Sequence, residues 1–205
     1  MPIMKKFICM FLLFLLFVYN TDAQSAATDK NKLLDFFQNQ QFDEAVNYLT
    51  PAAAVDSQNI QLLGYLAYAH YMNDNTKRAA DYFRKIITIN ADTISALQYL
   101  AILNKNDNPD QALHYTRRLI YLQPNKAAHY RSMGELFKRK NKQDPSFLYY
   151  NQAYLLQPKD YKNGIGLADI LIDNKKFERA YSIIEAGLEQ DSVNIPFLKL
   201  QVRSA

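Results

Sequence analysis

The chain has 205 residues, a length that accommodates one or two domains. It contains 5 Gly and no Trp. So little Gly disfavours a β fold with many turns, whereas plentiful Ala, Leu, Lys and Gln favour helices. The formal net charge of +4 is too small a bias to indicate a nucleic-acid partner, so we predict no such partner.

The first predicted element is an N-terminal export signal. Two lysines precede an unbroken apolar run from Phe7 to Val18. The small residues Thr21 and Ala23 follow, at the positions that a signal peptidase reads. We predict a signal peptide at residues 1–23, cleaved after Ala23, with cleavage after Ala27 as the second choice.

The alternative for this segment is an uncleaved membrane anchor. Its apolar run makes a helix of about 18 Å, whereas a bilayer core needs about 30 Å, so we favour cleavage and no stable membrane span afterwards. Cys9 lies inside the run and lacks a lipoprotein cleavage site before it. After cleavage no cysteine remains, so disulfides and thiolate metal sites are excluded. Losing two lysines and one aspartate lowers the net charge from +4 to +3.

Small residues recur through the rest of the chain with a period of about 34 residues. Ala79 follows Ala45 by 34 residues and precedes Ala180 by 101, which is three such periods. A second set of small residues follows a large one each time, as in Leu66-Ala67 and Leu167-Ala168. Two antiparallel helices approach closely only where their crossing carries small side chains, so the period predicts stacked helix pairs.

This register resembles the tetratricopeptide repeat (TPR) family. That pattern has bulky residues at positions 4 and 11, a Leu-Gly-like pair at 7 and 8, Ala at 20, an aromatic residue at 24, Ala at 27 and Pro at 32. The segment from Tyr130 to Pro158 matches it best. Nine of the ten small positions, 8 and 20 in five repeats, hold Ala, Gly or Ser, and Leu33 is the exception.

The resemblance covers nearly all of the chain after the leader and implies an all-α fold. We predict an α-α superhelix, the TPR solenoid, with about five helix-turn-helix repeats and a C-terminal single helix in one domain, 24–205. The repeats are 26–59, 60–93, 94–126, 127–160 and 161–194, and the single helix is 195–203.

Local signals agree with these helix boundaries. The pairs Asn108-Pro109 and Asp144-Pro145 each predict an N-cap followed by Pro at the first helical position. The pairs Gln123-Pro124 and Gln157-Pro158 predict helix ends, because a residue before Pro avoids the α region. The first helix of the first repeat carries Asp29 and Lys32 where the pattern has large residues at positions 4 and 7, so we expect it to be short and half-solvated.

The terminal helix has two interpretations. It either caps the solenoid or is the first helix of a repeat that continues in a longer protein. Lys199 and Arg203 suit the polar outer face of a cap, whereas Leu200 suits it less.

Residues with catalytic or ligating chemistry are sparse and scattered. The three histidines show no i, i+3 or i, i+4 pairing, so we predict no metal site. We expect His70 to pack inside a repeat, and His114 and His129 to lie on the surface. Gly164-Ile-Gly166 is too short for a phosphate loop and indicates close helix packing. We therefore predict no catalytic residue and no cofactor, and a protein that is not an enzyme.

The resemblance also implies a binding surface. In the TPR family, the first helices of successive repeats line a concave groove that holds the ligand. When the ligand-facing positions of the family are carried over to this sequence, the groove is aromatic in the second repeat and basic in the later repeats. The implied partner-binding residues are Tyr68, Tyr71, Met72, Lys105, Arg131, Lys138, Arg139 and Lys162. Tyr and Arg often anchor interfaces and Met adapts to varied partners, although such charges also suit an ordinary solvated face.

These features predict a non-catalytic scaffold that binds a segment of another protein in its groove. Its predicted location is the periplasm of a Gram-negative bacterium or the outside of the cell. The alternative is a structural module that self-associates through the terminal helix, or the N-terminal part of a longer TPR protein. A remote alternative is a helical enzyme, which a closed cavity with paired buried carboxylates would support.

Overall fold

The structure is a computed structural model that describes residues 29–204. The predicted leader, both candidate cleavage positions and Cys9 lie outside the described residues. The described part is helical throughout, and its only non-helical segments are the turns that join successive helices. The chain divides between Ala91 and Asp92 into two compact units, and within each unit helices pack on their chain neighbours.

Unit 1 contains four helices within residues 29–91. They are α1 (Lys30–Gln38), α2 (Phe42–Val55), α3 (Ile60–Met72) and α4 (Thr76–Ile89). Helix α1 is short and buries only Leu33, as the polar residues in its sequence predict. Pro51 lies inside α2, which continues without a break to Val55. The core of this unit gathers Leu33, Leu49 and Leu66 from three different helices.

Unit 2 contains seven helices within residues 92–204. They are α5 (Ile94–Asn104), α6 (Pro109–Leu122), α7 (Ala127–Arg139), α8 (Gln143–Leu156), α9 (Tyr161–Asp173), α10 (Phe177–Gln190) and α11 (Ile195–Ser204). In both units a helix packs on the next one along the chain. Within unit 2, α9 also packs on α7, and α11 on α9. These alternate helices place the first helices of repeats side by side.

Small side chains lie where paired helices cross, as their period predicts. The side chains of Ala45, Ala79, Ala112 and Ala180 are fully buried, and Ser146 donates to the carbonyl oxygen of Gly134 at 2.9 Å. Gly134 and Gly166 both face the ring of Tyr150. A Cβ on Gly166 would lie 2.4 Å from a Tyr150 ring carbon, so this close approach requires glycine.

The turns inside four repeats share one conformation. Each has a non-glycine residue with φ between 54° and 58°, in the left-handed region that side chains rarely adopt; these residues are Gln40, Asp74, Asn141 and Lys175. The third repeat lacks such a residue among those described, and its turn between α5 and α6 has four residues instead of three, because α5 ends earlier than α3, α7 and α9 do in their repeats. The longer turn reaches α6 through Asn108, whose side chain accepts from the Gln111 N–H at 3.2 Å.

One predicted cap is wrong. Helix α8 begins at Gln143, so Asp144 and Pro145 lie within its first turn, and Lys142 is the N-cap residue without a side-chain cap. Proline is tolerated there because the first N–H groups of a helix have no intrahelical acceptor. The predicted ends at Gln123 and Gln157 and the N-cap at Asn108 are confirmed.

Candidate functional site: the surfaces of the first helices

Helix α3 carries the predicted aromatic residues of unit 1. The Tyr68 ring lies 5.5 Å from the ring of Phe37 in α1, measured between centroids. Tyr71 is half-buried one turn further on, and the Met72 side chain at the end of the helix is 41% exposed. The three residues therefore form a partly exposed apolar surface with one ring held in place by α1. We call it the α3 face.

An open space lies on the same helix one turn before Tyr68. No heavy atom comes within 4 Å of the position that a Cβ on Gly64 would occupy. The neighbouring ring of Tyr65 lies 6.1 Å from Phe37, so aromatic side chains border this part of α3. Because Gly64 adds no side chain, an approaching ligand has access to the helix backbone.

Every predicted cation of unit 2 except Lys162 is engaged with a carboxylate. At the start of the row, Lys105 pairs with Glu135 at 2.5 Å. The same Glu135 lies 3.6 Å from the guanidinium of Arg139, which also donates to the Asn106 side chain at 3.1 Å. These contacts join the end of α5 to α7.

Arg131 connects α7 to the start of α9. Its guanidinium donates to Asp160 at 2.9 Å and to the side-chain oxygen of Asn163 at 2.5 Å. Asn163 is fully buried, and its amide nitrogen donates to the carbonyl oxygens of Ala153 and Gln157. Arg131 therefore completes the hydrogen bonds of a buried amide, which is a structural role.

Lys138 lies in the most densely charged part of this surface. Its ammonium group pairs with Asp169 and, at 2.8 Å, with Asp173, both on α9. Arg203 of α11 pairs with the same two carboxylates at 2.5 and 2.6 Å. Burial lowers the pKa of Lys138, but the hydrogen bonds and negative charges of Asp169 and Asp173 outweigh it, so the pKa is raised. This cluster joins α7, α9 and α11.

Lys162 differs from the other four predicted cations. Its ammonium group lies 5.9 Å from the centre of the Tyr161 ring, and it has no carboxylate partner among the described residues. The structure therefore places the predicted basic residues on neighbouring first helices and surrounds most of them with acidic groups. We call this surface, from Lys105 to Arg203, the ionic face. Its use as a binding surface stays a prediction.

The sequence did not predict that the cations of this face pair with acidic side chains. The acidic partners are Glu135, Asp160, Asp169 and Asp173, and Arg203 was expected only on the outer face of a cap. A signal was present, because the paired residues are separated by about one repeat. Arg131 and Asp160 are 29 residues apart, Lys138 and Asp169 are 31 apart, and Asp169 and Arg203 are 34 apart.

The histidines take different positions. His70 is buried and stacks on Tyr82 with ring centroids 5.5 Å apart, which confirms its packing role. His114 is exposed as expected, whereas the expectation for His129 is wrong. His129 is buried and shares a hydrogen bond with Gln123 at 2.8 Å. Burial lowers the pKa of both buried histidines, and the positive charges of Arg78 and Lys126 lower the pKa of His70 and His129 respectively.

Residues 29–204 contain neither a metal-binding cluster nor a membrane-spanning helix. No group of three or more His, Cys, Asp or Glu side chains in residues 29–204 is arranged to hold a metal ion. Within the same range, every helix is too short or too polar to cross a bilayer.

Paired antiparallel helices that repeat every 34 residues or so define a class of proteins, the α-helical repeat proteins. Residues 31–92 match the family model described as tetratricopeptide repeat. This part of the chain therefore matches the tetratricopeptide repeat family. A search of curated protein sequences gives no match.

Solved structures show that the same fold extends over most of the chain. MamA from Desulfovibrio magneticus RS-1 is similar with a TM-score of 0.74 and 16% identity, over 81% of this chain and 94% of that one. YrrB, described as a TPR protein with an unusual peptide-binding site, has a TM-score of 0.72 and 14% identity, over 84% and 89% of the two chains. PilF of Pseudomonas aeruginosa has a TM-score of 0.71 and 16% identity, over 85% and 80%. The fold class predicted from the sequence is confirmed.

Proposed function

We propose that this chain is an exported, non-catalytic scaffold that binds a segment of a partner protein on its first helices. We further propose that the α3 face contributes most of the binding free energy. A TPR fold in general supports a role in protein–protein interaction, and the YrrB description shows that a similar fold holds a peptide. The location, the partner and the binding face are our inferences.

The observation that carries the proposal is the contrast between a partly exposed apolar surface and cations that are already paired with carboxylates. The α3 face offers partly exposed apolar groups beside the open space over Gly64. On the ionic face, a partner carboxylate must displace Glu135, Asp169 or Asp173 from the cation it already contacts. Displacing one of these carboxylates contributes little to the binding free energy, because one ion pair only replaces another. Burial of an aromatic ring and a methionine contributes about 25 cal/mol per Å² of apolar area.

On this proposal the ionic face has two roles. It holds neighbouring first helices in register through contacts such as those of Arg131. It also provides Lys162, and the solvent edge of Arg139, as weaker contacts that select a partner of suitable charge.

Export rests on the sequence of residues 1–23. We propose that the chain is cleaved after Ala23 and released into the periplasm or the medium. Fractionation of cells followed by N-terminal sequencing tests this directly. An N-terminus at Gln24 in the periplasmic fraction is the expected result, and an uncleaved chain in the membrane fraction contradicts it.

Binding is tested by crosslinking in the native envelope, followed by affinity purification and mass spectrometry. A partner captured by the wild type is expected to be lost or strongly reduced with Tyr68→Ala. Tyr121→Ala provides a matched control, because Tyr121 is an exposed tyrosine on α6, which is the second helix of its repeat. Equal capture by all three proteins contradicts the proposed face.

The contribution of the ionic face needs neutral substitutions rather than charge reversals. Reversal of Arg131 or Lys138 introduces a carboxylate beside Asp160 or Asp169 and disturbs the fold together with the surface. Arg139→Gln and Lys162→Gln leave those contacts in place. We expect them to reduce capture less than Tyr68→Ala does, and a larger reduction contradicts our ranking of the two faces.

A further inference from the structure

Helix α11 is held firmly on unit 2 by its inner face. Phe197 and Leu200 are buried, so Leu200 belongs to the core and not to the outer surface that its sequence position suggested. The Phe197 ring fills the space over two glycines, and a Cβ on Gly187 would lie 2.3 Å from it. At the other end, Arg203 pairs with Asp169 and Asp173. The helix is therefore a fixed element with contacts at both ends.

The outer face of α11 is an uncovered apolar stripe. Ile195 is 63% exposed, Leu198 is 39% exposed and Val202 is 80% exposed. Their spacing of three and then four residues places them on one side of the helix. We call these three residues the α11 stripe.

The repeat register shows what kind of element covers this side of a first helix elsewhere. Leu198 corresponds to Leu63 and Leu97, and Val202 corresponds to Ala67, one or more repeats earlier. All three of those residues are buried, and the first helices that carry them pack closely on the second helices α4 and α6. An α-helix covers the equivalent side in those repeats, so the α11 stripe has the geometry to receive a helix.

The charge of α11 selects among possible helices. The helix carries Lys199 and Arg203 and no acidic residue. Arg203 is engaged with carboxylates, whereas Lys199 is exposed and makes no ion pair with any described residue. Lys199 lies midway along the stripe, so two copies packed antiparallel through it would bring two ammonium groups together. A helix with carboxylates beside its apolar residues complements the stripe, and a second copy does not.

A pocket adjoins the first turn of α11 and extends the stripe. Its volume is about 570 Å³, and Ile195 belongs to both the pocket and the stripe. Tyr154, Ile183 and Phe197 supply apolar walls, and the charged lining residues are Lys159 and Asp191. A pocket of this size has room for a large apolar side chain.

We propose that the α11 stripe and its adjoining pocket form a second docking surface, separate from the α3 face and the ionic face, for an acidic amphipathic helix of a partner protein. Apolar residues at i, i+3 and i+7 of that helix cover Ile195, Leu198 and Val202. Its carboxylates meet Lys199, and one large apolar residue enters the pocket. The surface acts independently of the α3 face.

The test uses the full chain and two synthetic helical peptides labelled with a fluorophore. Both peptides carry Leu at i, i+3, i+4 and i+7; one has Glu at the flanking positions and its twin has Lys. Fluorescence anisotropy is expected to show that the acidic peptide binds about tenfold more tightly than the basic one. Lys199→Glu is expected to reverse this order, which a non-specific apolar contact would not do.

Substitutions in the stripe locate the binding site. Leu198→Asp is expected to weaken acidic-peptide binding about tenfold. Leu148→Asp is the matched control, because Leu148 is a 64% exposed leucine on α8 outside the stripe. Ile195→Asp is the second stripe variant. Because Ile195 is more exposed than Leu198, its substitution is expected to leave the fold intact even where Leu198→Asp lowers the melting temperature. Tyr68→Ala is expected to leave peptide binding unchanged. This variant therefore distinguishes a failure of the α11 docking surface from a failure of the proposed function of the α3 face.

Three results overturn the proposal. The first is equal affinity for the acidic and basic peptides. The second is unchanged binding after both stripe substitutions. The third is sedimentation showing a dimer that Leu198→Asp abolishes, since a second copy would then be the occupant.

Discussion

The α3 face of unit 1 and the ionic face of unit 2 occupy equivalent positions in the repeat but differ in chemistry. On α3, the surface is aromatic and open, and Gly64 has free space above it. On α7 and α9, the cations contact carboxylates, and Gly134 and Gly166 lie under the ring of Tyr150. The first helices therefore present a partly exposed apolar surface in unit 1 and an ion-paired surface in unit 2.

The difference shows that residue type alone does not mark a binding surface. Lys138 and Tyr68 are both residue types that bind partners, and both lie on first helices. Lys138 already has two carboxylate neighbours, whereas the α3 face retains exposed apolar area at Met72. A contact with a partner strengthens binding when it is additional to the contacts that the side chain already makes in the free protein.

The largest expected effect of the four stability predictions is that of Lys138→Glu. It replaces the central cation with a third carboxylate beside Asp169 and Asp173 and leaves Arg203 as their only cation. These side chains keep only about a quarter of their surface exposed, so solvent screening is limited. We expect the free energy of unfolding of unit 2 to fall by about 3 kcal/mol, measured by urea denaturation.

Lys138→Gln serves as the control, since it removes the charge without adding repulsion, and a smaller loss is expected. A charge reversal that leaves the urea midpoint unchanged would show that the ionic face does not hold α7, α9 and α11 together.

Gly166→Ala is expected to have the second largest effect. Its Cβ would lie 2.4 Å from the buried Tyr150 ring, so the ring or helix α9 must shift. Overpacking of this kind costs about 1–3 kcal/mol, and the higher helix propensity of Ala returns about 1 kcal/mol. The net expectation is a loss of about 1–2 kcal/mol, measured by thermal and urea denaturation. A gain in stability would contradict the close packing of α8 and α9.

Gly64→Ala is the matched substitution in unit 1 and is expected to act in the opposite direction. With no atom within 4 Å of the new Cβ, only the helix propensity changes, and unit 1 gains about 0.5–1 kcal/mol. Denaturation measures this gain, and capture of a partner is expected to weaken if the partner approaches the α3 backbone. Loss of stability would mean that the space over Gly64 is filled in solution.

The smallest expected effect is the pH dependence of stability that arises from the buried histidines His70 in unit 1 and His129 in unit 2. Burial lowers the pKa of His70 and His129, so folding disfavours the protonation of each ring. A lowered folded pKa gives stability that is present above pH 6.5 and is lost as the pH falls toward the folded pKa, because the unfolded chain then binds more protons. We expect the urea midpoint to decrease slightly between about pH 7.5 and about pH 5.5.

The variant with both His70→Phe and His129→Gln is expected to show a smaller decrease over the same range. Phe preserves the ring stacking on Tyr82, and Gln keeps a polar group near Gln123. Identical pH dependence in wild type and variant would show that neither histidine is protonated on unfolding in this range.

Sequence periodicity predicted the fold because small and large residues at helix crossings are local requirements. Ala45 and Ala79 are fully buried where the pattern placed them. The burial of His129 was also predictable from the register, since it occupies the third position of its repeat. The residues at that position in the described repeats are all buried: Leu62, Ala96, His129, Asn163 and Phe197.

The ionic face could be predicted only in part. Its cations follow from the repeat register, but their pairing depends on the distance between side chains of neighbouring helices. Arg203 reaches Asp169 only because Phe197 fixes α11 against Gly187. The predicted N-cap at Asp144 was wrong for a separate, local reason, because a proline in the first turn of a helix fits equally at its first or third position.

The most direct test of the α3 face as the principal binding surface is photo-crosslinking from a single site in the native envelope. A photoreactive amino acid replaces Met72, whose side chain is exposed on that face, and in a second strain replaces Tyr121, exposed on α6. We expect one dominant crosslinked partner from position 72 and no crosslink to that partner from position 121. The same partner crosslinked from position 121, with nothing from position 72, would contradict it.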